Sequence, residues 1–235
     1  INSDEVGILD TNEGAFGVDM WTGIPAIFVE KLLRKLPITA QSVVMRDLMR
    51  RLLLSPAKSP EGGKKGVNLI LIRLRALIAL GLISEARALL ESIPEFSRDP
   101  ELIRLDVELS LLSYDYVRAC NITTREFPQK SGTFWHEIFS FCGYISGGAD
   151  RAALGISLMR EVGNSDERFF RLADALISGE ILDLESFSDP SPLHLAMIKE
   201  ANVNLSFDMI TTKEVNILRA VVSNIRVPLG FRLKA

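Results

Sequence analysis

Apolar positions recur at helical rather than strand spacing along most of the chain. Ile24, Ile27/Phe28, Leu32 and Leu36 set the period of a first helix over 24–36, with Pro25 in its first turn and Pro37 as its stop. Val44, Leu48 and Leu52 run down one side of a second helix over 40–54. Residues 55–66 (SPAKSPEGGKKG) are rich in Pro, Gly and Ser and read as a linker. Residues 67–80 are apolar almost all round. The alternation Ile72-Arg73-Leu74-Arg75 is compatible with a strand, but the run's length and its Ala76-Leu77, Ala79-Leu80 continuation favour a buried helix.

Further helices follow over 84–93, with Ala86, Leu89, Leu90 and Ile93 inward, and from Pro100, where Asp99 is placed as the N-cap. Leu102, Leu105, Leu109 and Leu112 form one face of the latter. Asp115 can cap the next helix, which ends at Pro128. An aromatic-rich helix spans 133–145, and Asp150 is placed as the cap of 151–162. Asn164 with Glu167, and Thr211 with Glu214, have capping-box spacing, and Ser191-Pro192 opens a short helix. No segment reads as a convincing strand. The expected fold is all-α, an α-solenoid of stacked antiparallel helical hairpins.

A repeat supports that expectation. Ala86, Ala119 and Ala152 are each 33 apart, and Gly81, Tyr114 and Gly147 keep the same spacing at the turns. The turns read Gly81-Leu82-Ile83-Ser84-Glu85-Ala86, Tyr114-Asp115-Tyr116-Val117-Arg118-Ala119 and Gly147-Gly148-Ala149-Asp150-Arg151-Ala152. A fixed period in the thirties marks helix pairs that bury their apolar faces on one another. Over 67–179 the pattern resembles tetratricopeptide-type repeats of a degenerate kind, since the Trp, Tyr and Pro signature positions are mostly unmatched. The resemblance implies a binding scaffold. Residues 1–23 then read as an acidic extended arm, 24–54 as an N-terminal helical pair, 55–66 as the linker, and 180–235 as C-terminal helices and a tail. The chain is also similar to a group of alphaproteobacterial cell-envelope proteins with degenerate repeats. That similarity rests on Val18-Asp19-Met20-Trp21-Thr22-Gly23, on 45–54, and on Phe134-Trp135 followed by Phe141-Cys142. It implies a periplasmic interaction protein, with the cytoplasm as the alternative.

Charge narrows the partners. The 235 residues carry a net charge of −3, too little to demand a polyionic partner for the whole chain. Its distribution is uneven: 1–30 hold six acids and no Lys or Arg, whereas 31–75 hold 11 basic residues against Asp47 and Glu61. No Phe, Tyr or Trp lies within 31–75 to stack on bases, which ranks nucleic acid last. Ordinary surface or intramolecular pairing ranks first, and docking of an acidic protein or a lipid headgroup second. No run reaches the ~18 apolar residues of a membrane span.

Catalytic patterns fail one by one. His136-Glu137-Ile138-Phe139-Ser140 starts like a zinc-protease motif but has Ser140 where the second His is needed. No Gly-x-Ser-x-Gly elbow is present, and Gly62-Gly63-Lys64-Lys65-Gly66 lacks the spacing of a phosphate loop. No metal or cofactor is expected. Cys120 and Cys142 are equidistant from the connection between their two helices, so they can lie level and form a disulfide; two buried free thiols are the alternative. The expected function is a non-enzymatic scaffold for a protein or peptide. Its groove would be lined by the first helix of each hairpin, with Arg73, Arg104, Glu108 and His136 as contacts and Arg46, Arg50 and Arg51 contributing from the basic segment. The rivals are a helical accessory domain of a larger enzyme and a cytosolic adaptor using 31–75.

Overall fold

A computed structural model describes residues 2–62, 68–129, 132–163, 166–184, 190–205, 215–224 and 229–233. The described residues are predominantly α-helical, in two compact units, Ile1–Leu109 and Ser110–Ala235.

The first unit contains α1 (Ala26–Arg34), α2 (Val43–Leu54), α3 (Leu69–Ala79), α4 (Ile83–Glu91) and most of α5 (Pro100–Leu112). Side-chain caps satisfy the free amides at their starts: Ser42 accepts from Met45 N–H, Asn68 from Leu71 N–H, and Asp99 from Glu101 N–H. The helix α3 is the centre of this unit. Being apolar on nearly every side, it needs cover from several neighbours, and α1, α2 and α4 all pack on it. The described part of the 55–66 stretch, residues 55–62, is packed into this unit. Ser55, Ala57 and Pro60 are buried, and Glu61 pairs with Pro25 in an isolated bridge. Residues 63–67 lie outside the described set.

The acidic arm is also packed rather than extended. Ile8 N–H donates to Leu54 O (2.9 Å), Lys58 N–H to Val18 O (2.8 Å) and Phe16 N–H to the Ser55 hydroxyl (2.8 Å). Gly7 lies so close to the Ser55–Pro56 peptide that a methyl group there would overlap it.

The two first helices bury other stripes than the periodicity picks out. In α1 the core side is Ala26, Val29 and Leu33, and in α2 it is Met49, Leu53 and Leu54. Ile27, Phe28 and Leu32, and Val44 and Leu48, are exposed. Each helix carries two apolar stripes, and a 3.6-residue period is satisfied by either.

The second unit holds the end of α5, α6 (Tyr116–Glu126), α7 (Thr133–Ile145), α8 (Ala149–Val162), α9 (Glu167–Ser178), α10 (Pro192–Glu200), α11 (Val215–Ser223) and the short α12 (Leu229–Arg232). The helices pack in chain order, α6 on α7, α7 on α8, α9 on α10 and α10 on α11. The sequence reading missed two strands. β1 (Leu182–Leu184) pairs in parallel with β2 (Val203–Leu205), Leu182 opposite Val203. Three residues are too few for alternation to register. Two caps also differ. Gly148 rather than Asp150 precedes α8, and Asp166 caps α9 by accepting from Arg168 N–H. Asn164, Thr211 and Glu214 lie outside the described residues.

The 33-residue period is written in the backbone. Tyr114 and its counterparts Gly81 and Gly147 have φ of 61°, 76° and 81°. At each turn the following residue's N–H reaches back five positions: Leu82 to Leu77 O, Asp115 to Ser110 O, Gly148 to Gly143 O, all 2.9 Å. A second bond spans three: Gly81 to Ile78 O, Tyr114 to Leu111 O, Gly147 to Tyr144 O. This paired pattern terminates a helix through a left-handed residue, where glycine carries no Cβ penalty. Five residues past each of these positions, Ala86, Ala119 and Ala152 are buried, small enough for two helices to approach closely.

Candidate docking face

The residues proposed from sequence as partner contacts lie in both units, and several of those in the first unit are engaged internally. Arg73 is 6 % exposed, and its guanidinium is filled by four carbonyls. Nε donates to Leu53 O (2.8 Å), Nη2 to Ser55 O (3.0 Å), and Nη1 to Asp4 O (3.2 Å) and Val6 O (2.7 Å). Burial draws its pKa down to about 10, opposed by the Asp4 carboxylate, so it stays cationic at neutral pH. The reading of Arg73 as a ligand contact is therefore corrected. It ties the acid arm to the C-terminal end of α2, where helix carbonyls are free to accept. Asp4 also accepts from Ile70 N–H at the start of α3 (2.8 Å), and desolvation raises its pKa.

Glu108 is likewise buried and held by Arg104 (3.1 Å) and Arg75 (3.6 Å), so it is an internal counter-ion rather than a contact. Arg46 donates to Leu80 O (3.1 Å), capping the end of α3, and Arg50 pairs with Glu85 of α4 (3.5 Å). Arg51 donates to Gly14 O (2.5 Å) and lies over the Phe16 ring (5.2 Å). His136 is exposed, with Nδ1 2.8 Å from Gly132 O and its ring edge-on to Phe127. The helices proposed from sequence as lining a groove, α3, α5 and α7, each contribute to the core: Leu74, Leu77, Leu105, Leu109, Ile138 and Phe141 are all buried.

The surface that sequence reasoning missed is on α1, α2 and their connection. Phe28 is 60 % exposed and Leu32, one turn on, 41 %; Val44 is 79 % and Leu48, one turn on, 44 %. Ile27, Ile38, Val43 and Met45 are exposed with them. Beside the Phe28–Leu32 row runs a second row one turn long, Lys31 and Lys35, both exposed. Among the described residues neither lysine meets a carboxylate. Arg34 is paired with Glu30 (2.9 Å). From Lys31 to Arg46 the chain contains no Asp or Glu. The available signal was the exchange of roles between stripes: Ala26-Val29-Leu33 is as regular as Phe28-Leu32 and fits closer packing.

In the second unit, Cys120 of α6 and Cys142 of α7 are bonded to each other, with Cα atoms 5.5 Å apart. Nearby, Tyr116 donates to Glu200 (3.0 Å), the Tyr114 and Ser223 hydroxyls are 2.8 Å apart, and the Lys199 ammonium sits 4.0 Å from the Tyr114 ring centre. Burial raises both phenol pKa values, and Glu200 raises that of Tyr116 further, so both stay protonated and neither serves as a base at neutral pH. His194 is buried as the third residue of a capping box with Ser191, and desolvation lowers its pKa to about 4. Among the described residues no three His, Cys, Asp or Glu side chains are grouped to hold a metal ion, and no helix is long and apolar enough to cross a membrane. Comparison with protein-family models, with curated proteins and with solved structures returns no match.

Proposed function

We propose that this chain is a non-catalytic docking scaffold of stacked, tetratricopeptide-like helical hairpins, and that the outward face of α1 and α2 receives an anionic partner. The observation that carries the reading is the exposed second apolar stripe on each helix, the one on α1 bordered by Lys31 and Lys35. Scattered apolar side chains are normal on a surface, but an exposed apolar row on each of two successive helices, with a pair of exposed lysines beside the one on α1, supports an interaction surface. The repeated turns at Gly81, Tyr114 and Gly147 support the stacking, since each presents a helix pair in the same way. An oxidising, periplasm-like compartment is part of the proposal and is supported by the Cys120–Cys142 bond.

The test is photo-crosslinking in the producing cell with benzophenone side chains at position 28 or 44, and at the exposed position 171 as control. Adducts confined to 28 and 44, whether to polypeptide or lipid, uphold the docking face. Equal labelling at all three positions, or none, removes it.

A further inference from the structure

We propose that the exposed apolar and cationic side chains of α1, its connection and the first turn of α2 bind the surface of an anionic lipid bilayer. This rests on the docking face above and names its occupant.

Three observations select the bilayer. The first is charge: Lys31 and Lys35 are exposed and, among the described residues, meet no carboxylate, whereas Arg34 is paired with Glu30 and Arg46 donates to Leu80 O. An anionic surface attracts this lysine pair without a binding pocket. The same charge disfavours a second copy, because a two-fold contact would set Lys31 and Lys35 of one chain near their equivalents.

The second is the side-by-side placement of rows on α1. Phe28 and Leu32 form an apolar row one turn long, and Lys31 and Lys35 a cationic row beside it. Lysine stems can lie along acyl chains while the ammonium stays at the phosphates.

The third is the connection. Ile38 is exposed between the helices, and Val43, Val44 and Met45 are exposed in the first turn of α2. These side chains stand out from the surface. A fluid bilayer accepts such side chains wherever they fall, whereas a protein partner must match each one. The contact is peripheral: apolar side chains enter the headgroup boundary, and nothing spans.

The test is co-flotation of the full chain with vesicles of phosphatidylcholine alone or with 30 % phosphatidylglycerol. Binding is expected only to the anionic vesicles. Raising salt from about 0.05 to 0.5 M, which cuts the Debye length several-fold, is expected to weaken it at least tenfold. Each of K31Q and K35Q should weaken it about fivefold and the pair about 25-fold. F28S with V44S should abolish it, while thermal melting of all variants stays at the parent value because every changed side chain is exposed. Equal binding to neutral vesicles, no binding to either, or parent-like binding by K31Q/K35Q overturns the proposal. If flotation fails while benzophenone at position 28 still crosslinks to a polypeptide, the occupant is an acidic protein and only the bilayer inference falls. Crosslinks between copies of this chain overturn it in favour of self-association.

Discussion

Replacing Arg73 by Met keeps the bulk of the side chain and removes the cation that four carbonyls share. Hydrogen bonds to a charged group contribute about 1.5–3 kcal/mol each, so the four bonds amount to roughly 6–12 kcal/mol gross. Taking the guanidinium out of water costs several kcal/mol, which the substitution returns. The carbonyls of Asp4 and Val6 can reach water if the arm lifts, whereas those of Leu53 and Ser55 are held at the end of α2. The net loss is therefore about 3–5 kcal/mol, the range for breaking a buried charged network. With a urea slope of about 2 kcal/mol per molar, the midpoint should fall by about 2 M. The loss should be local first. Limited proteolysis should cut within residues 2–23, and the Ile8 and Ile70 amides, which donate to Leu54 O and to the Asp4 carboxylate, should lose hydrogen-exchange protection. R73K should fall between, because one ammonium cannot reproduce a planar fork aimed at four acceptors. A midpoint shift under 0.5 M in R73M, with the arm still resistant to protease, refutes the reasoning.

The disulfide closes a loop of 22 residues, so C120S/C142S should lose about 3 kcal/mol, read by denaturant unfolding; parent-like stability would show that the bond contributes nothing, and thiol titration with and without reductant checks that it forms. His194 titrates near 6.5 when unfolded and about 4 when folded, a depressed pKa, so its contribution is fully present above pH 6.5 and is lost as pH falls towards 4. The full difference is about 3 kcal/mol, and H194Q should flatten the stability profile across that window; an unchanged slope would count against burial of the neutral ring. On α2, Leu53→Ala should cost about 2–5 kcal/mol and Leu48→Ala under about 0.5, because the first is fully buried and the second 44 % exposed. A thermal melt that ranks them the other way would mean the helix presents its other stripe to α3.

Local features were legible and non-local choices were not. The turns at Gly81, Tyr114 and Gly147 could be read because a left-handed helix end is decided within six residues. The Asp99, Asp115 and Ser191 caps are equally short-range. By contrast, nothing within α1 or α2 says which apolar stripe meets the core; α3 decides it. Arg73 looks like a surface cation in an alternating segment, yet its acceptors come from 18 to 69 positions away. The acidic arm lacks helical period, so its docking along 54–58 leaves no mark in the pattern.

The described cations of the basic segment are engaged in different ways. Its cations sort by chemistry. Arg46, Arg51 and Arg73 donate to backbone carbonyls at helix ends and along the arm, and Arg50 pairs with a carboxylate of α4. A guanidinium holds several donors in one plane and is weakly hydrated, so it can serve fixed acceptors in a partly dry interior. An ammonium is compact and strongly hydrated, and Lys31 and Lys35 accordingly stay outside, next to an apolar row that no described element of the first unit covers. Among the described residues, most cations over 31–75 are thus engaged internally. What remains for an outside partner is a narrow strip, and its value lies in what borders it: removing the two lysines would leave the apolar rows, and removing the rows would leave two ordinary surface cations. Neither half alone distinguishes an anionic, apolar surface from water, so the two must be lost separately and together in the vesicle assay to expose their coupling.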